Sequence, residues 1–187
     1  TIKTGVTEDG HLMACYAKMI YDAGAFPGAP VQAAAMIGFG AYKADNIKSL
    51  GYDVVTNKPR VQAYRAPGGT AIAFAVETHM DAVAKSVNID PLKFRKINSV
   101  SEGDLMPNGN RYNRIGLRKM IDAIEKHPSW TTSLSGSNVG RGIAFGFWGG
   151  ASMTSSSELL VNVDGSVSVV TGQVDLTGIR TTMMQIV

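Results

Sequence analysis

The sequence is poor in cysteine, with Cys15 alone, and holds no apolar run near the ~18 residues that a membrane helix needs. A single cysteine excludes an internal disulfide framework and any cysteine-rich metal or iron–sulfur site. The Lys–Arg clusters typical of nucleic-acid binding are also missing, although the net charge is +3. These absences, together with the lack of a secretory signal pattern, predict a cytoplasmic protein without membrane or nucleic-acid partners.

What the sequence does contain is an apolar, glycine-rich composition. Of its 187 residues, 44% are hydrophobic, 18% are charged and 21 are glycine. That balance excludes a disordered chain and predicts a globular protein with many tight turns. The chain starts at Thr1 within a strand-like pattern and stops at Val187 within a helix-like pattern. We therefore expect an internal piece of a longer polypeptide.

Hydrophobic periodicity and turn residues predict helices mixed with hairpins, without regular βαβ alternation, which indicates an α+β fold. Turns at Asp9-Gly10 and Asp164-Gly165 predict two hairpins. Strands are predicted at 1–7, 11–21, 44–50, 52–56, 60–64, 140–149, 156–163 and 166–171, and helices at 31–40, 69–85, after Asp90, at 116–127 and from Gly178. The polar stretch 131–138 separates two predicted domains, 1–136 and 137–187.

The stretch Arg65-Ala66-Pro67-Gly68-Gly69 is the most informative part of the chain. It lies where a predicted strand turns into the long helix 69–85. Glycine allows a ligand to approach the backbone closely, and the free N–H groups at a helix start favour an anion. Arginine adds a planar fork that binds a phosphate or another oxyanion through two hydrogen bonds. This turn therefore predicts a binding site for something large and anionic.

A second turn, Thr177-Gly178-Ile179-Arg180-Thr181, repeats the arrangement more weakly. Thr177 is predicted to be the N-cap, and the N–H groups of Gly178, Ile179 and Arg180 to cradle a phosphate, assisted by the Thr177 or Thr181 hydroxyl. Capped helix starts without a ligand are common, so this turn alone favours an ordinary strand–turn–helix. The spacing also does not match the Rossmann or P-loop patterns.

Several other polar and aromatic residues have an ordinary structural interpretation. Glu77 is predicted to form an ion pair or a capping contact rather than to act in catalysis. Asp175 is predicted either to stabilise its turn or to support a neighbouring group that binds a ligand. The three histidines have no ligand-like spacing. Phe145, Phe147 and Trp148 predict a buried strand face, with a substrate channel as the alternative.

The two turns and their flanks resemble the molybdenum-binding subunit of the xanthine dehydrogenase/aldehyde oxidase family, the molybdenum hydroxylases. The resemblance rests on the segments 63–69, 74–84, 90–98, 163–167 and 172–181. It implies a molybdopterin cofactor with molybdenum, in the cytosine dinucleotide form, and places both turns around it. It also implies FAD and 2Fe-2S clusters on partner subunits, the remainder of the large subunit, and a small organic substrate hydroxylated with oxygen from water.

Departures from the family pattern narrow the range of substrates that the resemblance implies. Ala66-Pro67 offers neither the aromatic ring of the xanthine-type enzymes nor the copper-binding cysteine of the carbon monoxide dehydrogenases. An aldehyde or an aromatic N-heterocycle is favoured instead. Thr177 stands in a turn where many relatives have Gly-Gln-Gly. The family's glutamate base would lie beyond Val187, so we expect no catalytic residue here and an inactive isolated piece.

Two other functions remain open at this point. One is a non-catalytic binding or assembly domain that keeps the scaffold without using the cofactor. The other is an unrelated binder of a phosphoryl ligand that uses both helix starts.

Overall fold

The computed structural model describes residues 1–149 and 154–187, which fall into two compact units that divide between residues 149 and 150. The division comes later than residue 136, where the sequence analysis placed the domain boundary, because residues 140–149 belong to the first unit. The assignment of the two predicted pieces to two molybdopterin-binding domains stays a prediction. Residues 150–153 of the second piece lie outside the described residues.

A three-stranded sheet of order β1-β2-β3 forms one side of the first unit. Strands β1 (Ile2–Val6) and β2 (Leu12–Gly24) pair antiparallel, which confirms the first predicted hairpin. Helix α1 (Val31–Ile37) then crosses over to β3 (Asn46–Val55), which pairs parallel to β2. The two strands predicted at 44–50 and 52–56 are this one strand, because Gly51 between them keeps its pairing with Met19.

Four more helices complete the first unit: α2 (Gly69–Ser86), α3 (Pro91–Asn98), α4 (Leu117–Lys126) and α5 (Pro128–Thr131). All but the short α5 were predicted. The α2 face that carries Ile72, Val76 and Met80 joins one core with Cys15 and Ala17 of β2. Complete burial of such an aliphatic side chain contributes about 1.5–3 kcal/mol, so this helix is held by its packing.

Two predicted strands of the first unit are not strands. Residues 60–64 follow Pro59 and are tied to β2 by the bond from Val61 N–H to the Ala23 carbonyl, without forming a ladder. Residues 140–149 run as irregular chain, and the Phe145 N–H donates to a side chain, Glu77, instead of to a strand. Both stretches have strand-like composition, but neither pairs with a strand of the described residues.

The second unit contains a hairpin and one helix. Strands β4 (Ser157–Val161) and β5 (Val167–Thr171) pair antiparallel, and helix α6 (Ile179–Ile186) follows. The turn at Asp164-Gly165 has a positive φ of 82° at the glycine, which confirms the second predicted hairpin. Helices mixed with small sheets confirm the α+β prediction. Among the helices of the described residues, none has the length and apolar character needed to cross a membrane.

Candidate functional site

The turn that opens α2 has a left-handed backbone at two of its residues. Ala66 has a φ of 55°, and Gly68, the N-cap, has a φ of 77°. The Gly69 N–H donates to the Ala66 carbonyl over 2.8 Å, and the Ile72 N–H donates to the Gly68 carbonyl over 3.2 Å. The chain therefore reverses within three residues and enters the helix directly.

The position of this turn depends on tight contact with the loop before α1. A Cβ atom on Gly68 would overlap the Pro30 carbonyl oxygen and would lie 3.2 Å from the Ala34 Cβ. A Cβ on Gly69 would lie 3.0 Å from the Ile37 side chain. The Tyr21 hydroxyl also donates to the Gly68 carbonyl over 3.4 Å. Both glycines of the sequence motif thus allow α1 and α2 to approach closely.

The outer side of the same turn suits an anion. Arg65, Thr70 and Ala71 are exposed, and the first turn of α2 contains no acidic residue. Within the described residues, the Thr70 and Ala71 N–H groups donate to no acceptor. Such groups at a helix start carry a partial positive charge. A phosphate or similar oxyanion therefore fits the donors that the turn presents.

The turn that opens α6 in the second unit has a similar backbone. Thr177 has a φ of 46°, and Gly178 has a φ of 88°. The N-cap is Gly178 and no side chain caps the helix, so the prediction of Thr177 as N-cap was wrong. A threonine in the left-handed region points its hydroxyl differently from an N-cap residue, which has an extended backbone.

Asp175 occupies part of the predicted anion cradle in that second turn. Its Oδ1 accepts from the Arg180 N–H over 3.3 Å, and its Oδ2 lies 3.6 Å from the Arg180 Nε. Of the three amides predicted to hold a phosphate, that of Arg180 is therefore already bonded. The structural alternative for Asp175 is confirmed. The remaining candidates of this turn, Ile179 and Thr181, lie at the helix start, and joint binding of one ligand by the two turns stays a prediction.

Glu77, in the middle of α2, is a buried carboxylate that receives hydrogen bonds from three directions. The Tyr42 hydroxyl donates to Oε1 over 2.7 Å, and the Phe145 N–H donates to Oε2 over 2.9 Å. The Arg95 guanidinium, itself 0% exposed, lies 2.8 Å from Oε2. Burial first, and then the Glu77 carboxylate, raise the pKa of Tyr42 far above its ordinary value, so this hydroxyl remains a donor. The predicted structural role of Glu77 is confirmed.

The polar residues of helix α3 and its N-cap are architectural. The Asp90 carboxylate caps the helix by accepting from the Leu92 and Lys93 N–H groups. Arg95 binds Asp81 over 2.7 Å besides Glu77. The buried Asn98 side chain accepts from the Leu12 N–H and donates to the Gly10 carbonyl, which fixes the first hairpin.

The aromatic segment 145–148 packs on the rest of the first unit although it forms no strand. Phe145 lies against Tyr42, with ring centroids 5.5 Å apart, and Phe147 meets Tyr112 edge to face at 5.8 Å. Trp148 remains 52% exposed. The predicted burial thus holds for the two phenylalanines in part, and fails for Trp148.

Three further groups, the potential metal ligands, His79 and Cys15, have structural surroundings. The described residues contain no cluster of His, Cys, Asp and Glu that could hold a metal ion. His79 contacts the Thr4 hydroxyl over 3.1 Å, and burial lowers its pKa. Burial raises the pKa of the Cys15 thiol to about 12, so it stays protonated and unreactive.

Comparison with known proteins decides the family. Residues 1–99, which include the first turn and α3, match the family model of the molybdopterin cofactor-binding domain. A probable xanthine dehydrogenase subunit of Bacillus subtilis is 35% identical over 135 residues, covering 68% of this chain and 18% of the relative. The chain belongs to the molybdopterin-binding family of xanthine dehydrogenases and aldehyde oxidoreductases. The aldehyde oxidoreductase of Megalodesulfovibrio gigas is 31% identical over 189 residues, covering 93% of this chain and 20% of the relative.

A solved structure from this molybdopterin-binding family supports the fold. The aldehyde oxidoreductase from Desulfovibrio gigas superposes with a TM-score of 0.67 at 29% identity, covering 90% of this chain and 20% of the other. The chain therefore spans about a fifth of the length of the relatives that it matches. The part matched by the family model contains the turn at 65–69 but not the turn at 177–181.

Proposed function

We propose that this chain forms part of the molybdopterin cradle of a molybdenum hydroxylase. That enzyme would be an oxidoreductase that uses water to hydroxylate an aldehyde or an aromatic N-heterocycle. The observation that carries the proposal is the exposed, acid-free helix start beside Arg65, inside the segment that the family model matches. The names of the two relatives, an aldehyde oxidoreductase and a subunit of a xanthine dehydrogenase, support the two substrate classes.

The first turn would hold an anionic part of the cofactor through its own donors. Arg65 would bind an oxyanion through its guanidinium, and the Thr70 and Ala71 N–H groups would donate to it. Ala66 and Pro67 would line the approach to the cofactor, while Gly68 and Gly69 allow the start of α2 to pack against α1. When bound, the molybdenum cofactor would supply the oxidation of a substrate C–H bond. In the second turn, Gly178, Ile179 and Thr181 would contact the pterin or its phosphates, with Thr177 beside them.

This chain would bind and orient but would not supply the general base. Glu77 is buried, and its carboxylate already accepts from Tyr42, Arg95 and Phe145. A carboxylate committed to these donors is not available to take a proton from water. We therefore propose that the base comes from the remainder of the large subunit and that 1–187 alone is inactive. The cofactor would be the cytosine dinucleotide form, with FAD and 2Fe-2S clusters on partner subunits.

The role of Arg65 is tested by Arg65→Ala in the full-length enzyme, with molybdenum per polypeptide measured by mass spectrometry. A hydrogen bond to a charged group contributes about 1.5–3 kcal/mol, so cofactor affinity should fall roughly 10- to 100-fold. Arg65→Lys should retain part of the binding, because it keeps the charge but not the fork. Arg114→Ala, at another exposed arginine, is the matched control and should retain full occupancy.

Unchanged molybdenum content and unchanged turnover in Arg65→Ala would refute the role of this turn. Wild-type enzyme purified without any molybdenum would instead favour a non-catalytic binding or assembly domain on the same scaffold. The two results are distinct, because the first concerns one side chain and the second the whole protein.

A further inference from the structure

Each aromatic side chain of the segment 145–148 contacts a different residue elsewhere in the first unit. Phe145 lies on Tyr42, and Phe147 fills the space over Gly40, where a Cβ would overlap its ring. The indole of Trp148 lies over Gly69, with its ring atoms 3.4–3.5 Å from where a Cβ would stand. Two glycines thus form flat contact points for two rings, and the second of them belongs to the turn that opens α2.

One backbone N–H of this segment, that of Phe145, is bound by the buried carboxylate of Glu77. The Phe145 N–H donates to the Glu77 Oε2 over 2.9 Å. Glu77 is itself fixed by Tyr42 and by the fully buried Arg95, so the acceptor cannot move away. A charged acceptor in a buried setting makes a stronger hydrogen bond than a neutral one. The Phe145 amide is therefore tied to Glu77, three residues before Trp148.

We propose that Glu77 is a positioning residue that fixes the segment 145–148, so that the Trp148 indole forms an apolar wall beside the N-terminal end of α2. This wall limits the size of the substrate that reaches the cofactor. The inference rests on the proposed function, since a wall beside this turn selects substrates only if the turn holds the cofactor.

The first test measures the bond directly and needs no activity. In the full-length polypeptide, Glu77→Gln should make the amides of residues 142–148 exchange with deuterium about tenfold faster or more, because the charged acceptor is lost. Asp81→Asn is the matched control. Asp81 binds the same Arg95 but does not contact Phe145, so exchange in 142–148 should stay unchanged. Equal exchange in wild type and Glu77→Gln would overturn the positioning role.

The second test separates positioning from a general loss of structure. The ratio of kcat/KM for a bulky substrate to that for a small one does not depend on how much enzyme is active. We expect Trp148→Ala and Glu77→Gln each to raise this ratio at least threefold. In the double variant, Glu77→Gln should add nothing to Trp148→Ala, because both act through the same wall. A fall in rate with an unchanged ratio, or independent effects in the double variant, would overturn the proposal.

A third variant guards against poor folding of Glu77→Gln, since breaking a buried ion pair is strongly destabilising. Phe147→Ala removes the ring over Gly40 and leaves the Glu77 contacts intact. Because Glu77 still accepts from the Phe145 N–H, exchange of that amide should stay within about twofold of wild type, and a rise as large as that in Glu77→Gln would overturn the positioning role. Absence of molybdenum in the wild-type enzyme would end the proposed function alone, because the exchange measurement still decides what Glu77 holds.

Discussion

The two helix-opening turns have nearly the same local chemistry and different surroundings. In each, a non-glycine residue with positive φ, Ala66 or Thr177, comes shortly before a glycine N-cap that is also left-handed. Around Gly68, an added Cβ would overlap the Pro30 carbonyl oxygen. Around Gly178, no atom lies within 4 Å of such a Cβ among the described residues. A turn motif therefore sets backbone geometry, while its neighbours decide how firmly it is held.

The electrostatic setting of the two turns differs as well. The first turn of α2 has no acidic residue, and Arg65 lies at its entry. At α6, the Asp175 carboxylate already bonds to the Arg180 amide. A carboxylate at a helix start satisfies the same partial positive charge that a phosphate would. We therefore expect the first turn to bind an anion better than the second, as its arginine and two glycines predict.

Gly68→Ala should have the largest effect on stability. A left-handed non-glycine backbone costs about 1–2 kcal/mol, and forcing a methyl group into a packed contact costs about 1–3 kcal/mol. We expect the free energy of unfolding to fall by about 2–5 kcal/mol, measured by urea denaturation of the full-length polypeptide. A loss below about 1 kcal/mol would mean that the loop at Pro30 moves easily and that its contact with Gly68 is weak.

Gly178→Ala should have a smaller effect, because strain is its only cost. Its φ of 88° disfavours alanine, yet no atom of the described residues lies within 4 Å of the added methyl group. The expected loss is about 1–2 kcal/mol in the same denaturation experiment. A loss equal to that of Gly68→Ala would contradict the contrast drawn between the two turns.

Asp175→Asn should have the smallest effect. The Asp175 side chain is 45% exposed and that of Arg180 is 81% exposed, so water screens their interaction. Exposed ion pairs contribute less than about 1 kcal/mol, and the asparagine oxygen can still accept from the Arg180 amide. Glu158→Gln on β4 is the control. A loss well above 1 kcal/mol would show that Asp175 holds the turn more strongly than its exposure indicates.

The elements predicted correctly are those with strong local signals. The hairpins at Asp9-Gly10 and Asp164-Gly165 follow from turn chemistry, and α2 follows from apolar residues at helical spacing. The strands wrongly predicted at 60–64 and 140–149 have suitable composition. Whether such a stretch pairs depends on a partner strand elsewhere in the chain, which local composition does not report.

The candidate site was predictable only in part. The turn at Arg65 was found because arginine, proline and glycine at a helix start indicate their chemistry directly. Arg95 and Asn98 were missed as structural groups. Their only sequence signal is a polar residue on the apolar face of a short helix, since Leu92, Phe94, Arg95 and Asn98 are all buried there.

The sequence by itself determined the α+β class, the two hairpins, the long helix and the family, because turn residues, hydrophobic spacing and motif residues act locally. Only the tertiary structure decided that Glu77 joins Tyr42, Arg95 and Phe145, and that Trp148 lies over Gly69. Phe145 lies 68 residues from Glu77 in the chain. Contacts over such separations arise from the packing of the whole unit. Burial then fixes the partner of each charged group, because a charge left unpaired in the protein interior would be costly.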